Sequence, residues 1–500
     1  MEKIIQVLQS IEAFLLSNFQ AVNGYLTDYI LIILLVGVGI LFTVRTRFVQ
    51  VRCFGEGMKK VFGNIKLHGG KREGGLSSFQ ALATAIAAQV GTGNIVGASA
   101  AILAGGPGAI FWMWLIAFLG MSTIYAEAVL AQKTRVTDEN GEIQGGPVYY
   151  IRQAFKGRFG KVLAVFFSIS AMLALGFMGS MVQSNSIASS CNAAFGIPTW
   201  AIGLAVAAVC ALIFIGGINR IASVTEKIVP LMACFFLLGG VIILALNFRV
   251  IPETFGMIFK YAFTPQALLA AGFGEAIKTA ISQGAKRGLF SNEAGMGSTP
   301  HAHAQANVKK PHDQGVVAMI GVFIDTFVVL TMTALVVIST LYTGNGILAG
   351  KFGDAYQAAV SGDTAIISGA DAMQKAVTAA LPDWFGNAGS IFVAVCLLFF
   401  AFSTIVSWNF FGKVNALYLF GKNKKVTTII YSVIAVAFIF LGAIAKNSLV
   451  WELTDFFNYL MVIPNAIALI ALSSLVAKEA KDARKLKKAE KAEKKESANV

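Results

Sequence analysis

A chain of 500 residues in which 56% of side chains are hydrophobic and 13% charged, with a mean hydropathy of +0.70, has too little polar surface for a water-soluble fold, so the bilayer is its expected solvent. The net charge of +14 would suit nucleic acid, but Lys and Arg avoid the apolar runs and gather in alternate connections, which argues against that partner. No enzyme activity is expected, because no span carries a His-Glu-x-x-His zinc pattern, a paired aspartate set, or a serine with a histidine at membrane depth.

In chain order, residues 1–27 place Ile4, Leu8, Ile11 and Leu15 at helical spacing among Glu2, Lys3 and Glu12, the pattern of an interfacial amphipathic helix. Roughly 20 apolar residues cross the hydrocarbon. Runs of that kind predict eleven transmembrane helices, at 28–44, 78–104, 109–131, 162–185, 200–216, 228–247, 268–284, 316–342, 389–411, 427–445 and 451–476. The connections 45–75, 132–161, 217–227, 285–315 and 413–425, with the tail 478–500, hold 33 of the 40 basic residues. That asymmetry predicts a multi-pass protein of the cell inner (plasma) membrane with its N-terminus outside and its C-terminus cytoplasmic.

Two spans are interrupted. The second reads as a helix to Gln89 and then Val90-Gly91-Thr92-Gly93-Asn94; the seventh carries Gly272-Phe273-Gly274-Glu275. These two spans head successive groups of five helices, 78–247 and 268–476, which begin on opposite sides of the membrane, the footprint of an inverted repeat. The fold expected is therefore an all-α integral membrane protein with ten core helices in two inverted five-helix repeats, plus one extra N-terminal helix. Unwound backbone at membrane depth lines a cavity or is buried in protein, so the paired breaks mark a binding site. At the first, the arriving helix ends in free carbonyls and the departing one begins with free N–H groups, partners for the ammonium and the carboxylate of an amino acid. Gly91 and Gly93 let a ligand approach the backbone, and the Asn94 amide lies beside it.

Three segments make the sequence recognisable: Gly91-Thr92-Gly93-Asn94-Ile95-Val96-Gly97; Gly145-Gly146-Pro147 with Tyr149-Tyr150; and Gly288-Leu289-Phe290-Ser291-Asn292-Glu293-Ala294-Gly295-Met296-Gly297-Ser298. They resemble the alanine or glycine:cation symporter family, over about Leu76 to Leu472. Membership implies the leucine-transporter-type fold, with broken first and sixth core helices, and symport of alanine or glycine with sodium. Carried over by position, the resemblance implies substrate contacts from Gly91, Thr92, Gly93 and Asn94, from Gln183 on the third core helix, from Gly272 and Gly274 on the sixth, and from Trp408 on the eighth. Co-transported sodium would take its oxygens from the carbonyls around Ala87 and Val90 and from the hydroxyls of Ser403 and Thr404.

Each of these residues also has a plainer reading. Ser403 and Thr404 fit equally well as hydroxyls bonded to their own helix, and Trp408 by itself reads as an interfacial belt residue. Glu275 and Lys278 are spaced to pair on one helix face. Asp325, charged and alone in its span, is a functional candidate by default, with packing against another polar group an equal alternative. Asn292 and Glu293 fall in a connection, with a capping or inner-gate role, and His68, His301, His303 and His312 also fall in connections. The five cysteines have no metal-ligand spacing. The outer connection 344–387 reads as a solvated loop, with a lid over the outer mouth as the alternative. The function expected is alternating-access symport of a small neutral amino acid with sodium; a proton-coupled symporter, using Glu127, Glu275 or Asp325, is the rival, and a channel a weaker one.

Overall fold

The computed structural model describes residues 2–63, 75–138, 141–263, 273–349, 369–445 and 447–497, and it is helical almost throughout. The first helix, α1 (Glu2–Tyr25), passes through a π turn at Leu26–Leu31 directly into α2 (Ile32–Arg45). The amphipathic segment and the extra span expected at 28–44 are thus one continuous rod, and nothing between 25 and 32 supplies a glycine or proline to break it. A short helix α3 (Phe54–Phe62) follows. Then come α4 (Ser78–Gln89) and α5 (Ala98–Gly105), joined through a π turn at Gly93–Gly97, and α6 (Ala109–Thr134). Ser77 opens α4 with a capping box: its side chain accepts from the Gln80 N–H, and the Gln80 side chain accepts from the Ser77 N–H. Next are α7 (Gly157–Ala171), α8 (Ser180–Phe195), α9 (Thr199–Phe214) and α10 (Gly217–Leu246).

The second half holds α11 (Phe273–Asn292), the five-residue α12 (Pro300–Ala304), α13 (Pro311–Val322) running through a π turn into α14 (Thr331–Leu341), and α15 (Gly369–Ala380). It closes with α16 (Ala388–Phe420), α17 (Lys424–Ile444), α18 (Asn447–Ala471) and α19 (Ser473–Ser497). A helix falls at each of the eleven expected spans. Among the described residues eight are long and apolar enough to cross a membrane, and α4 with the 93–105 segment, bent by 46°, makes a ninth. The other two are α9, apolar but short, and α11, which carries Glu275, Lys278, Lys286 and Arg287.

The molecule is packed for lipid. Leu231, Leu238, Val241 and Ile242 of α10 are exposed, whereas Gln183, Glu127, Glu293 and Asp325 are buried. Apolar groups meet hydrocarbon at no cost, and polar groups find each other inside. The long α16 runs through the centre, against α4, α8 and α10. The described part of the outer connection is not a solvated loop: α15 packs against α5, α14 and α16, buries Ala372, Met373, Ala376 and Val377, and its Gln374 side chain donates to the Ser190 hydroxyl at 2.9 Å.

Candidate substrate and cation site

The first break forms where it was expected. Helix α4 ends at Val90 (φ −81°, ψ 86°), and the chain resumes helical turns from Thr92. Of the N–H groups at the break, that of Gly91 donates to Asn94 Oδ1 at 3.0 Å and that of Thr92 to Gln183 Oε1 at 3.0 Å; the Thr92 hydroxyl donates to the same Gln183 oxygen at 2.6 Å. The donors that would receive a carboxylate are therefore held by neutral side-chain oxygens. Asn94 in turn donates through Nδ2 to Asp325 Oδ1 at 2.6 Å, so Asp325 is the anchor of the break and not a charge left alone in its span.

On the other side of the break, the Ala87 carbonyl accepts from the Thr404 hydroxyl at 2.9 Å, and the Ser403 hydroxyl lies 3.5 Å from the same oxygen. Both hydroxyls also reach the Phe400 carbonyl of their own helix, at 3.1 Å and 2.9 Å. Each hydroxyl has a single proton for these two carbonyls; by distance Thr404 favours Ala87 across the break and Ser403 favours Phe400 in its own helix. A Cβ on Gly91 would collide with Thr404 Oγ1 and come within 3.1 Å of Gln183 Oε1, so this glycine sits where the hydroxyl and amide sides meet.

One turn beyond Thr404 on α16, Trp408 is buried inside the protein. Its Nε1 donates to Glu293 Oε1 at 2.5 Å, and its ring meets Phe290 edge to face at 5.8 Å. Gly179 clears the space the indole fills.

The second break lies about twenty residues beyond the expected glycines. Gly272 is outside the described residues, but α11 runs unbroken through Gly274 and Glu275 to Asn292. Helix-compatible neighbours carry a single glycine without a break, and Lys278 of this helix pairs with Asp28 at 2.9 Å. The interruption comes between α11 and α12, at residues 293–299, where Glu293, Gly295 and Gly297 take positive φ of 57°, 88° and 83°. This stretch is the long motif itself. It lies against the first break: Gln89 Nε2 donates to the Asn292 carbonyl at 2.7 Å, and a Cβ on Gly93 would stand 2.9 Å from the Phe290 ring and 3.1 Å from the Ser291 backbone. The Ser291 hydroxyl donates to Asp325 Oδ2 at 2.9 Å, so one carboxylate ties both breaks together.

The residues of this stretch are not solvated connection. Glu293 is buried, receiving Trp408 and the Ser298 hydroxyl; Asn292 accepts from the Ala294 N–H at 3.0 Å, a cap; His301 and His303 are buried as well. Behind them, Glu127 accepts from the Gly295 N–H at 3.1 Å and from Asn465 Nδ2 at 2.6 Å, while the Tyr150 hydroxyl donates to Asn465 Oδ1. Gln89, Phe290, Ser291 and Asn465 are not singled out as site residues by the sequence, and Glu127 only as a group that could titrate. The density of small and polar residues in 288–298 is the signal the sequence carries for this break.

A comparison of the whole chain with known families matches residues 12–497 to the sodium:alanine symporter family. The chain belongs to that family. Among its relatives, the sodium/alanine symporter AgcS of Methanococcus maripaludis is 40% identical over 91% of this chain and 94% of its own. A Bacillus subtilis protein described as a putative sodium/proton-dependent alanine carrier, YrbD, is 38% identical over 90% and 88%. Among solved structures, MhsT in complex with L-phenylalanine superposes with a TM-score of 0.55 at 16% identity, covering 82% of this chain and 93% of that one. The protein is accordingly a multi-pass membrane transporter of the leucine-transporter type, as the resemblance implied.

Proposed function

We propose that the protein carries a small neutral amino acid, alanine or glycine, together with sodium, by alternating access around the paired breaks. The observation that supports this most is the convergence at the first break: one helix carbonyl, Ala87, with two neutral hydroxyls, Ser403 and Thr404, stands beside backbone N–H groups held by Gln183 and Asn94. Sodium is a hard cation that exchanges water for oxygen, and neutral oxygens supply it without burying net charge. In the reading proposed, the Gln183 amide oxygen occupies the place of the substrate carboxylate. On binding, the carboxylate takes the Thr92 N–H and the amide turns to donate to it. Trp408, fixed by Glu293 and Phe290, walls the pocket and limits the side chain that fits. Gly274, inside an unbroken helix, leaves the substrate set, and the segment Phe290 to Glu293 takes its place.

Uptake into proteoliposomes tests this, with alanine, glycine, serine, leucine and glutamate each supplied under a sodium gradient and under a proton gradient. Accumulation of the small neutral substrates under sodium alone is expected. Proton coupling is the second reading, favoured by the carboxylate Asp325 at the junction of both breaks. Uptake driven by protons alone, and lost in Asp325→Asn, would establish it in place of sodium. The basic asymmetry supports a cytoplasmic C-terminus in the plasma membrane; a reporter active only in the cytoplasm, fused after Val500, should work.

A further inference from the structure

We propose that the protein binds the phosphate headgroup of an anionic phospholipid in a basic cavity between the end of α2 and the tail helix α19, on the side proposed to be cytoplasmic. The cavity holds about 470 Å³. Eight of its eleven lining residues are Lys or Arg and none is Asp or Glu, with Arg45, Arg47 and Arg52 on one wall and Lys481, Arg484 and Lys485 on the other.

Three of the eight, Arg52, Arg484 and Lys488, also line the neighbouring cavity that holds Glu56, yet among the described residues no ion pair joins them to that carboxylate. The ion pairs that seat α19 use other residues: Lys487 reaches Glu56 at 2.8 Å, and Glu479 reaches Lys133 at 2.6 Å. The partners of two of the cavity arginines, Arg45 and Arg52, are neutral. Arg45 donates to the Ser474 hydroxyl at 2.8 Å, and Arg52 to the carbonyls of Thr46 at 2.9 Å and Arg47 at 3.3 Å. On α19, Lys481, Arg484, Lys485 and Lys488 recur at three- and four-residue spacing, which places them along one face. Like charges gathered this closely repel unless an anion sits among them.

The position says which anion. Arg45 closes an apolar span that runs from Glu12 to Arg45, so the cavity lies at headgroup depth. Arg47 and Phe48 both take left-handed backbone, φ 57° and 56°, a conformation that side chains with a Cβ seldom adopt, and Val44, Phe48 and Val51, each next in the chain to a lining arginine, are exposed. A free phosphate has no use for apolar neighbours; the acyl chains of a phospholipid do. The lipid then bridges the end of a span to the tail.

The test uses the purified full-length chain and measures retention of phosphatidylglycerol against phosphatidylcholine by native mass spectrometry, with wild type, the triple variant Arg47→Gln/Lys481→Gln/Arg484→Gln, and a control Lys156→Gln/Arg158→Gln/Lys161→Gln. A basic residue at an anionic membrane surface is worth roughly fivefold in binding, so the triple variant should bind phosphatidylglycerol on the order of a hundredfold more weakly. Wild-type and control binding should stay equal, and both should fall with added salt. Equal retention of the two lipids by wild type, which needs no variant to fold, overturns the proposal, as does wild-type retention in the triple variant or equal loss in the control. Thermal stabilisation by millimolar inorganic phosphate as large as that by phosphatidylglycerol would overturn the lipid assignment.

Discussion

The two breaks touch each other and are held by different chemistry. At the first, the N–H groups of Gly91 and Thr92 are bonded by the side chains of Asn94 and Gln183 and the Ala87 carbonyl by Thr404 of α16, with the Asp325 carboxyl behind Asn94. At the second, from Glu293 to Thr299, a backbone N–H and the flanking side chains are bonded by the carboxylates of Glu127 and Glu293. At the second break a carboxyl side chain bonds the backbone directly, whereas at the first the Asp325 carboxyl acts only through the Asn94 side chain.

The largest expected effect is at the contact between them. Gly93→Leu drives a side chain into Phe290 and the Ser291 backbone; uptake should fall by roughly a hundredfold or more, while the protein still reaches the membrane fraction. Gly97→Ala, whose Cβ would meet nothing closer than 3.8 Å, should transport within about twofold of wild type. Near-normal uptake in Gly93→Leu would mean that the breaks do not need to lie in contact.

Thr404→Val keeps the shape and removes the oxygen facing Ala87. The sodium concentration for half-maximal uptake should rise roughly tenfold, which is about 1.4 kcal/mol, and alanine affinity should fall in parallel because the coupling is reciprocal. Sodium dependence unchanged in this variant would return Thr404 to bonding within its own helix.

The wall can be loosened from either side. Trp408→Ala should admit longer side chains and weaken alanine binding, measured as competition by leucine. Glu293→Gln keeps an oxygen for the Trp408 Nε1 and should preserve selectivity, whereas Glu293→Ala leaves that N–H buried without a partner, a cost of about 1–3 kcal/mol in stability. If Glu293→Gln alone broadened selectivity, the charge and not the hydrogen bond would be what fixes the indole.

The smallest effect lies outside the breaks. A hydrogen bond from His312, with Lys487 beside it, lowers the Glu56 carboxyl from 4.5 to about 2. Glu56 is partly open to solvent, so its contribution to seating α19 is small. Because the folded value is depressed, that contribution is present above pH 4.5 and is lost as pH falls toward 2. Protease cleavage of the tail should therefore be faster in Glu56→Gln than in wild type at pH 6, with the difference fading below pH 4.

The sequence by itself determined that this chain lives in a bilayer, roughly where its long helices lie, and where the first break falls. Hydropathy acts over some twenty residues and needs no partner, and Gly91-Thr92-Gly93 marks its break locally. Gly272-Phe273-Gly274 carries the same local mark, yet a helix runs on through Gly274. Whether a glycine opens a helix depends on what stands ready to bond the freed backbone. At Gly295 that is Glu127, 168 residues away in the chain. The same distance hid the meeting of Asp325 with Asn94 and Ser291 and of Trp408 with Glu293. Such pairings are decided by packing, because a buried polar group must find a partner somewhere in the fold, and only the tertiary structure says which.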